Sequence, residues 1–160
     1  MKLTAFSDVS LRILLLLAGI DGRERLSTQT IADGVGTPYN HVAKSVAFLA
    51  SRGWVESTRG RTGGVVLSAS GRVVTIGAVL RASEGDVAMV ECETHSNHTS
   101  CPMRNNCALR TVLGRAREAF FAAVDDIVIA ELPNQRQMGP VFIELGLGSL
   151  AQRLPEISPL

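Results

Sequence analysis

The chain has 160 residues, 46% of them hydrophobic and only 4% aromatic, which predicts one compact unit, or one domain plus an appended helix, around a core of Leu, Val, Ala and Ile. The formal net charge of +1 says nothing by itself about nucleic acid, but residues 1–75 carry nine Lys/Arg against five acids and residues 76–160 carry seven against ten. A basic first half fits a polyanion-binding module joined to a module with another task. A membrane span is excluded, because the apolar run Ile13 to Ile20 is far short of the roughly 20 residues a bilayer requires. That run also lacks a small-residue cleavage site, and three cysteines, an odd number, argue against a disulfide framework, so a reducing cytoplasm is expected.

Residues 3–20 are predicted to form a helix, since Leu3, Phe6, Val9 or Ser10, Ile13 and Leu17 recur at three- and four-residue steps. Asp8 and Arg12, four apart, share a face on it. Asp21-Gly22-Arg23 stops this helix, and Ser27 is a suitable N-cap for a short one from Thr28 to Asp33. Gly34-Val35-Gly36 breaks the chain. Thr37 and Pro38 then suit the N-cap and first-turn places of a helix from Pro38 to Arg52, which buries Val42, Val46 and Leu49 and ends at Gly53. Two helices joined by a glycine turn are the signature of a helix-turn-helix.

Trp54 to Ser57 and Val65 to Ser68 are short β-type segments around a glycine-rich loop that carries Arg59 and Arg61. This loop has neither the Lys-Ser/Thr pair nor the following helix of a phosphate cradle, and it reads as the wing of a winged helix-turn-helix. Val73 to Ser83 follow as a further helix. Asn105 to Glu131 is predicted as one long helix, with Leu109, Leu113, Ala116, Phe120, Val124 and Ile127 at near-heptad spacing that suits a second copy of the chain. The segment after Pro133, with Pro140, Pro155 and Pro159, is expected to be loosely ordered or an edge segment. The expected fold is therefore mainly α with a small β-hairpin wing. It divides into residues 1–80 for DNA binding, 81–132 for the cysteine loop and dimerisation helix, and a tail from 133 to 160.

Between the last two helices lies CETHSNHTSCPMRNNC, which holds Cys92, Cys101 and Cys107 together with His95 and His98. So polar a loop is not core, and three soft ligands on it suggest that a metal or an iron–sulfur cluster orders it. A structural zinc site on three cysteines with His95 or His98 remains open, although the short Cys-x-x-Cys pair common in such sites is missing. So does a metal-free thiol switch between Cys101 and Cys107. A cysteine enzyme with a histidine base finds no motif in its support.

On the recognition helix, Thr37, Tyr39, Asn40, His41 and Lys44 lie near the end that meets base edges in a major groove. Asn40 suits adenine, and Lys44 suits guanine or phosphate. Arg59 and Arg61 suit a minor groove narrowed by A·T tracts, so a dimer on an inverted-repeat, A·T-rich double-stranded site is expected.

Phe6-Ser7-Asp8, the wing Arg59-Gly60-Arg61-Thr62-Gly63-Gly64, Cys101-Pro102-Met103-Arg104 and Arg117-Glu118-Ala119-Phe120-Phe121 are the stretches through which the chain resembles the Rrf-type iron–sulfur regulators, over roughly residues 1–132. Among them it is most similar to the nitric-oxide-sensing repressors. The resemblance implies a cytoplasmic homodimeric repressor, not an enzyme, with a cluster on Cys92, Cys101 and Cys107. The [4Fe–4S] form is favoured, and three cysteines also accommodate [2Fe–2S]. It further implies Asp8 as a fourth ligand, contributed across the dimer, with His95, His98 or an external molecule as its rivals. Nitric oxide would attack the iron that Asp8 holds weakly, with cluster supply or redox state as the alternative signal. Two departures stand out: the gap from Cys92 to Cys101 is long for the group, and Arg110 occupies the place where some related regulators carry a ligand histidine.

Overall fold

The computed structural model describes residues 3–20, 22, 24–60, 63–85, 90, 101, 103 and 106–157. Helix α1 (Ala5–Ile20) is the central element, with Val9, Ile13, Leu14, Leu16, Leu17 and Ile20 all buried. Such an all-round apolar helix needs cover on several sides. It receives that cover from α2 (Thr28–Val35), α3 (Tyr39–Ser51), α4 (Ile76–Glu84) and the C-terminal helices.

The ends of α2 and α3 follow local chemistry. The Ser27 hydroxyl accepts from the Thr30 N–H at 3.0 Å, which caps α2 as its sequence predicts. Gly36, at φ +64°, sends its N–H back to the last turn of α2, a left-handed close that favours glycine. The predicted start of α3 shifts by one residue: Pro38 occupies the N-cap place and the helix begins at Tyr39. Thr37 is not the cap; its hydroxyl donates instead to the Val35 carbonyl at 3.4 Å. α2 also runs on to Val35, past the predicted stop at Asp33, because Gly34 is helical and only Gly36 turns the backbone.

The hairpin forms as expected, with β1 (Val55–Thr58) antiparallel to β2 (Gly64–Leu67) and Val55 opposite Leu67. Its inner edge is extended by an isolated bridge in which Leu26 and Val65 exchange N–H···O bonds of 3.0 and 2.8 Å. At its base, the Ser68 and Ser70 hydroxyls both donate to the Gly53 carbonyl at 2.6 Å, and the Gly71 N–H donates to Ser68 Oγ at 2.9 Å. A Cβ on Gly71 would strike the Trp54 carbonyl, so only glycine permits this close approach.

The predicted helix from Val73 begins later, at Ile76. Val73 lies in a 3₁₀ turn (Gly71–Val73), and Thr75 caps α4 by accepting from the Ala78 N–H at 3.1 Å. The larger correction concerns Asn105 to Glu131. Helix α5 is Ala108–Ala122, and the chain then turns instead of continuing to Glu131. The reason lies 45 residues or so away in sequence. The Ile76 N–H donates to the Ile127 carbonyl at 2.8 Å and the Gly77 N–H to the Val124 carbonyl at 2.9 Å, so the turn supplies acceptors that the first turn of α4 needs. Arg81 fixes the same turn, bonding Asp125 through two nitrogens at 3.1 and 2.8 Å. A Cβ on Gly77 would collide with Asp125.

The segment after Pro133 is not loose. Asn134 caps α6 (Gln135–Glu144), accepting from the Gln137 N–H at 3.0 Å, and a short α7 (Gly148–Ala151) follows. Phe142, with no exposed surface, and Met138 sit over Gly19 of α1, where a Cβ would approach the Phe142 ring to 3.0 Å. Leu145 meets Gly34 of α2 in the same way. Burying a side chain such as Phe142 is worth about 1.5–3 kcal/mol, enough to hold this segment on the domain.

Candidate nucleic-acid interface and cysteine loop

The buried side of α3 carries Val42, Ser45, Val46 and Leu49, and this orients everything else on the helix. Tyr39, Asn40, His41 and Lys44 are consequently exposed together at its N-terminal end, Tyr39 to 50%. Thr37 is half-buried beside them. A helix N-terminus presents unpaired N–H groups and a partial positive charge, so this end suits polyanion contact.

Phe48, on the flank of the same helix, packs edge-on against Phe6 of α1 at 5.1 Å between ring centroids, and Trp54 packs against Phe48 at 6.1 Å. This aromatic row joins α1, the recognition helix and the foot of the wing. Arg59 is exposed at the wing tip, while Arg61 lies outside the described residues. Arg25, which sequence reading did not single out, pairs with Glu56 at 3.4 Å and reaches Thr58 Oγ1 at 3.5 Å, bracing the outer strand beside that tip. Nothing local in the sequence signals this contact, since its partners are more than thirty residues apart.

Asp8 is half-buried in the first turn of α1, and its carboxylate pairs with Arg12 at 2.6 Å, so the predicted i, i+4 pair forms. One residue earlier begins a polar chain that sequence reading also missed. The Thr4 N–H donates to Glu84 Oε1 at 2.8 Å and the Thr4 hydroxyl lies 3.1 Å from the same oxygen. Thr4 Oγ1 is 3.0 Å from Ser7 Oγ, which is in turn 2.7 Å from Ser83 Oγ. The start of α1 and the end of α4 are thus tied together at Glu84, eight positions before Cys92.

Of the predicted ligands, Cys92 lies outside the described residues, as do His95 and His98. Cys101 and Cys107 are half-buried, free thiols. Cys107 occupies the N-cap place of α5 without spending its side chain on a capping bond. Among the described residues no three His, Cys, Asp or Glu side chains gather as a metal site. Helix α5 itself buries only Phe121; Leu109 is 62% exposed and Val112 48%. Arg81 bridges from α4 to Glu118 at 3.2 Å, and its guanidinium stands 4.5 Å over the Phe121 ring. The paired carboxylates raise the Arg81 pKa, with hydrogen bonding to Asp125 the largest cause. Reciprocally, the Arg81 hydrogen bonds lower Asp125 below the ordinary carboxylate range.

Residues 3–135 match the Rrf2 family, described as iron-dependent transcriptional regulators. The chain is 42% identical to the HTH-type transcriptional repressor NsrR of Streptomyces coelicolor, over 91% of this chain and 96% of that protein. It is 34% identical to the HTH-type transcriptional regulator NsrR of Bacillus subtilis, over 86% and 93%. Among solved structures, CymR, the global cysteine regulator of B. subtilis, superposes with a TM-score of 0.61 at 26% identity, over 81% of this chain and 93% of that one. T. potens IscR gives 0.63 at 21% identity over 81% and 84%, a likeness of fold. Among the described residues no helix is long and apolar enough to cross a membrane. The chain is a transcriptional regulator, not an enzyme, and belongs to the Rrf2 family.

Proposed function

We propose that this protein is a homodimeric repressor whose hold on DNA is controlled by an iron–sulfur cluster on its cysteine loop, with nitric oxide as the signal. The observation that carries the reading is the state of the two described thiols. Cys101 and Cys107 are free and half-buried, and Cys107 stands at the N-cap of α5, in a chain of an iron-dependent regulator family. The donor set fits a cluster. Thiolates are its usual ligands, and Cys107 has no capping duty to abandon. Cys92, Cys101 and Cys107 would hold three irons of a [4Fe–4S] group, and Asp8 of the second copy the fourth. When bound, the cluster supplies iron that nitric oxide attacks.

The chain's own residues do the rest. Recognition helix α3 enters a major groove, where Tyr39, Asn40, His41 and Lys44 face base edges and phosphates and Thr37 flanks them. Arg59 and Arg61 follow the adjacent minor groove, which favours an A·T-rich inverted repeat read by two copies. The exposed Leu109 and Val112 face of α5 covers its counterpart in the second copy. Residues 1–80 then act in DNA binding and residues 81–132 in sensing and dimerisation, while the C-terminal segment supports α1 and α2.

An anaerobic preparation, scanned in the visible range and titrated with nitric oxide while operator binding is followed, tests this. A cysteinyl-cluster band that bleaches as DNA is released is the expected result. A colourless, zinc-bearing protein whose DNA binding ignores nitric oxide would replace it with a structural-metal regulator.

A further inference from the structure

We propose that the chain of side chains Thr4, Ser7, Ser83 and Glu84 is a positioning device that carries the state of the cysteine loop to the recognition helix; the inference rests on the cluster-controlled reading above. Its hydrogen-bond directions follow from donor counting. A carboxylate only accepts, so the Thr4 hydroxyl donates to Glu84. The Ser7 hydroxyl must then donate to Thr4 Oγ1, which also accepts the Ser7 N–H at 3.2 Å, and Ser83 donates to Ser7. Ser83 has a second acceptor in the Leu80 carbonyl at 3.4 Å, farther than Ser7 Oγ at 2.7 Å, so with all three short contacts made the row polarises toward Glu84.

Ser7 is fully buried and every polar partner of its hydroxyl belongs to this row. Losing the row would leave a buried hydroxyl unsatisfied, which makes a half-formed version unfavourable and the device two-state. Its ends sit where coupling needs them. Glu84 is the last residue of α4, eight positions before Cys92, the first residue of the cysteine loop. Ser7 is in the first turns of α1, next to Phe6, whose ring rests edge-on against Phe48 of α3. A shift of the α4 end therefore moves the α1 start, and close packing passes that shift to α3. Asp8, the proposed cross-dimer ligand, follows Ser7 directly, so both inputs from the loop converge on one helical turn.

The test compares operator affinity of cluster-loaded and cluster-free protein on a duplex selected from random DNA by the wild type, for wild type, Glu84→Ala, Ser83→Ala and Glu84→Gln. The first two variants should bring the ratio of the two affinities down about tenfold, the usual scale of a coupling between sites. Glu84→Gln, which keeps an acceptor oxygen, should retain most of the wild-type ratio. Hydrogen exchange at the Thr4 and Ser7 amides in cluster-free protein should quicken in Glu84→Ala at unchanged overall melting; unaltered exchange would show that the row does not hold α1. Wild-type protein with equal affinity in both forms would overturn the cluster-controlled reading itself. A wild-type ratio that survives intact in Glu84→Ala and Ser83→Ala would leave that reading standing and overturn this one.

Discussion

Residues 5–85 and helix α5 bury their apolar surface in opposite ways. In the first region Ile13, Ile31, Val42, Leu49 and Val79 share one core within the chain, and helix ends are closed by Ser27, Thr75 and Gly36. In α5 only Phe121 is buried, and the apolar residues nearest the cysteine loop face outward. The first region, closed by the C-terminal helices of the same chain, needs no second copy to cover its core. A region that leaves Leu109 and Val112 open depends on what covers it, and this is the property a sensing element needs if its order is to change with a signal.

That contrast can be broken most sharply by truncation in each region. Leu49→Ala should cost about 2–5 kcal/mol in a denaturant titration, because it opens a cavity in the self-contained core. Leu109→Ala should stay within about 0.5 kcal/mol for the single chain. Equal losses would show that the two regions do not differ. Next in size, Leu109→Asp with Val112→Asp should convert a dimer to a folded monomer in analytical ultracentrifugation and sharply weaken operator binding. Retention of the dimer would mean that another face pairs the subunits.

Arg59→Ala should reduce operator affinity about tenfold and flatten the salt dependence by about one unit of slope, as loss of one phosphate contact does. If the loss is confined to A·T-rich sites, Arg59 reads groove shape instead. The smallest effect belongs to the join between the regions. Arg81 holds the Asp125 pKa down, so ionised Asp125 favours the folded state above its unfolded value of about 3.9, and that support disappears as pH falls through the lowered folded value. Melting curves of wild type and Asp125→Asn should therefore differ slightly at neutral pH, since the pair is largely exposed, and converge as pH falls through the lowered folded value.

What could be read from the sequence follows the same division. Ser27, Gly36, Gly53 and the glycine-rich wing are local signals, and each marks a boundary of the helix-turn-helix or hairpin within a residue or two. The end of α5 was not legible, because near-heptad spacing runs on through Val124 and Ile127. What stops the helix is the need of Ile76 and Gly77 for acceptors and the pull of Arg81 on Asp125, all distant in sequence. Helix α6 did carry a signal in Asn134 and in Met138, Phe142 and Leu145 at four- and three-residue steps. Pro140 masked it, since proline inside a helix removes a backbone bond. At the candidate site, the exposure of Tyr39, Asn40, His41 and Lys44 was legible from helical periodicity, whereas the row from Thr4 to Glu84 joins residues eighty apart and leaves no local trace.

The central claim is that a cluster on the cysteine loop governs DNA binding, and chemical analysis tests it most directly. Iron and acid-labile sulfide should be counted in anaerobically isolated protein, and operator affinity measured before and after chelation of the iron. About four irons and four sulfides per chain, with affinity lost on stripping and absent from Cys107→Ser, is the predicted result. Protein that holds no iron and sulfide under those conditions, or that binds its operator equally well after stripping, would contradict the account.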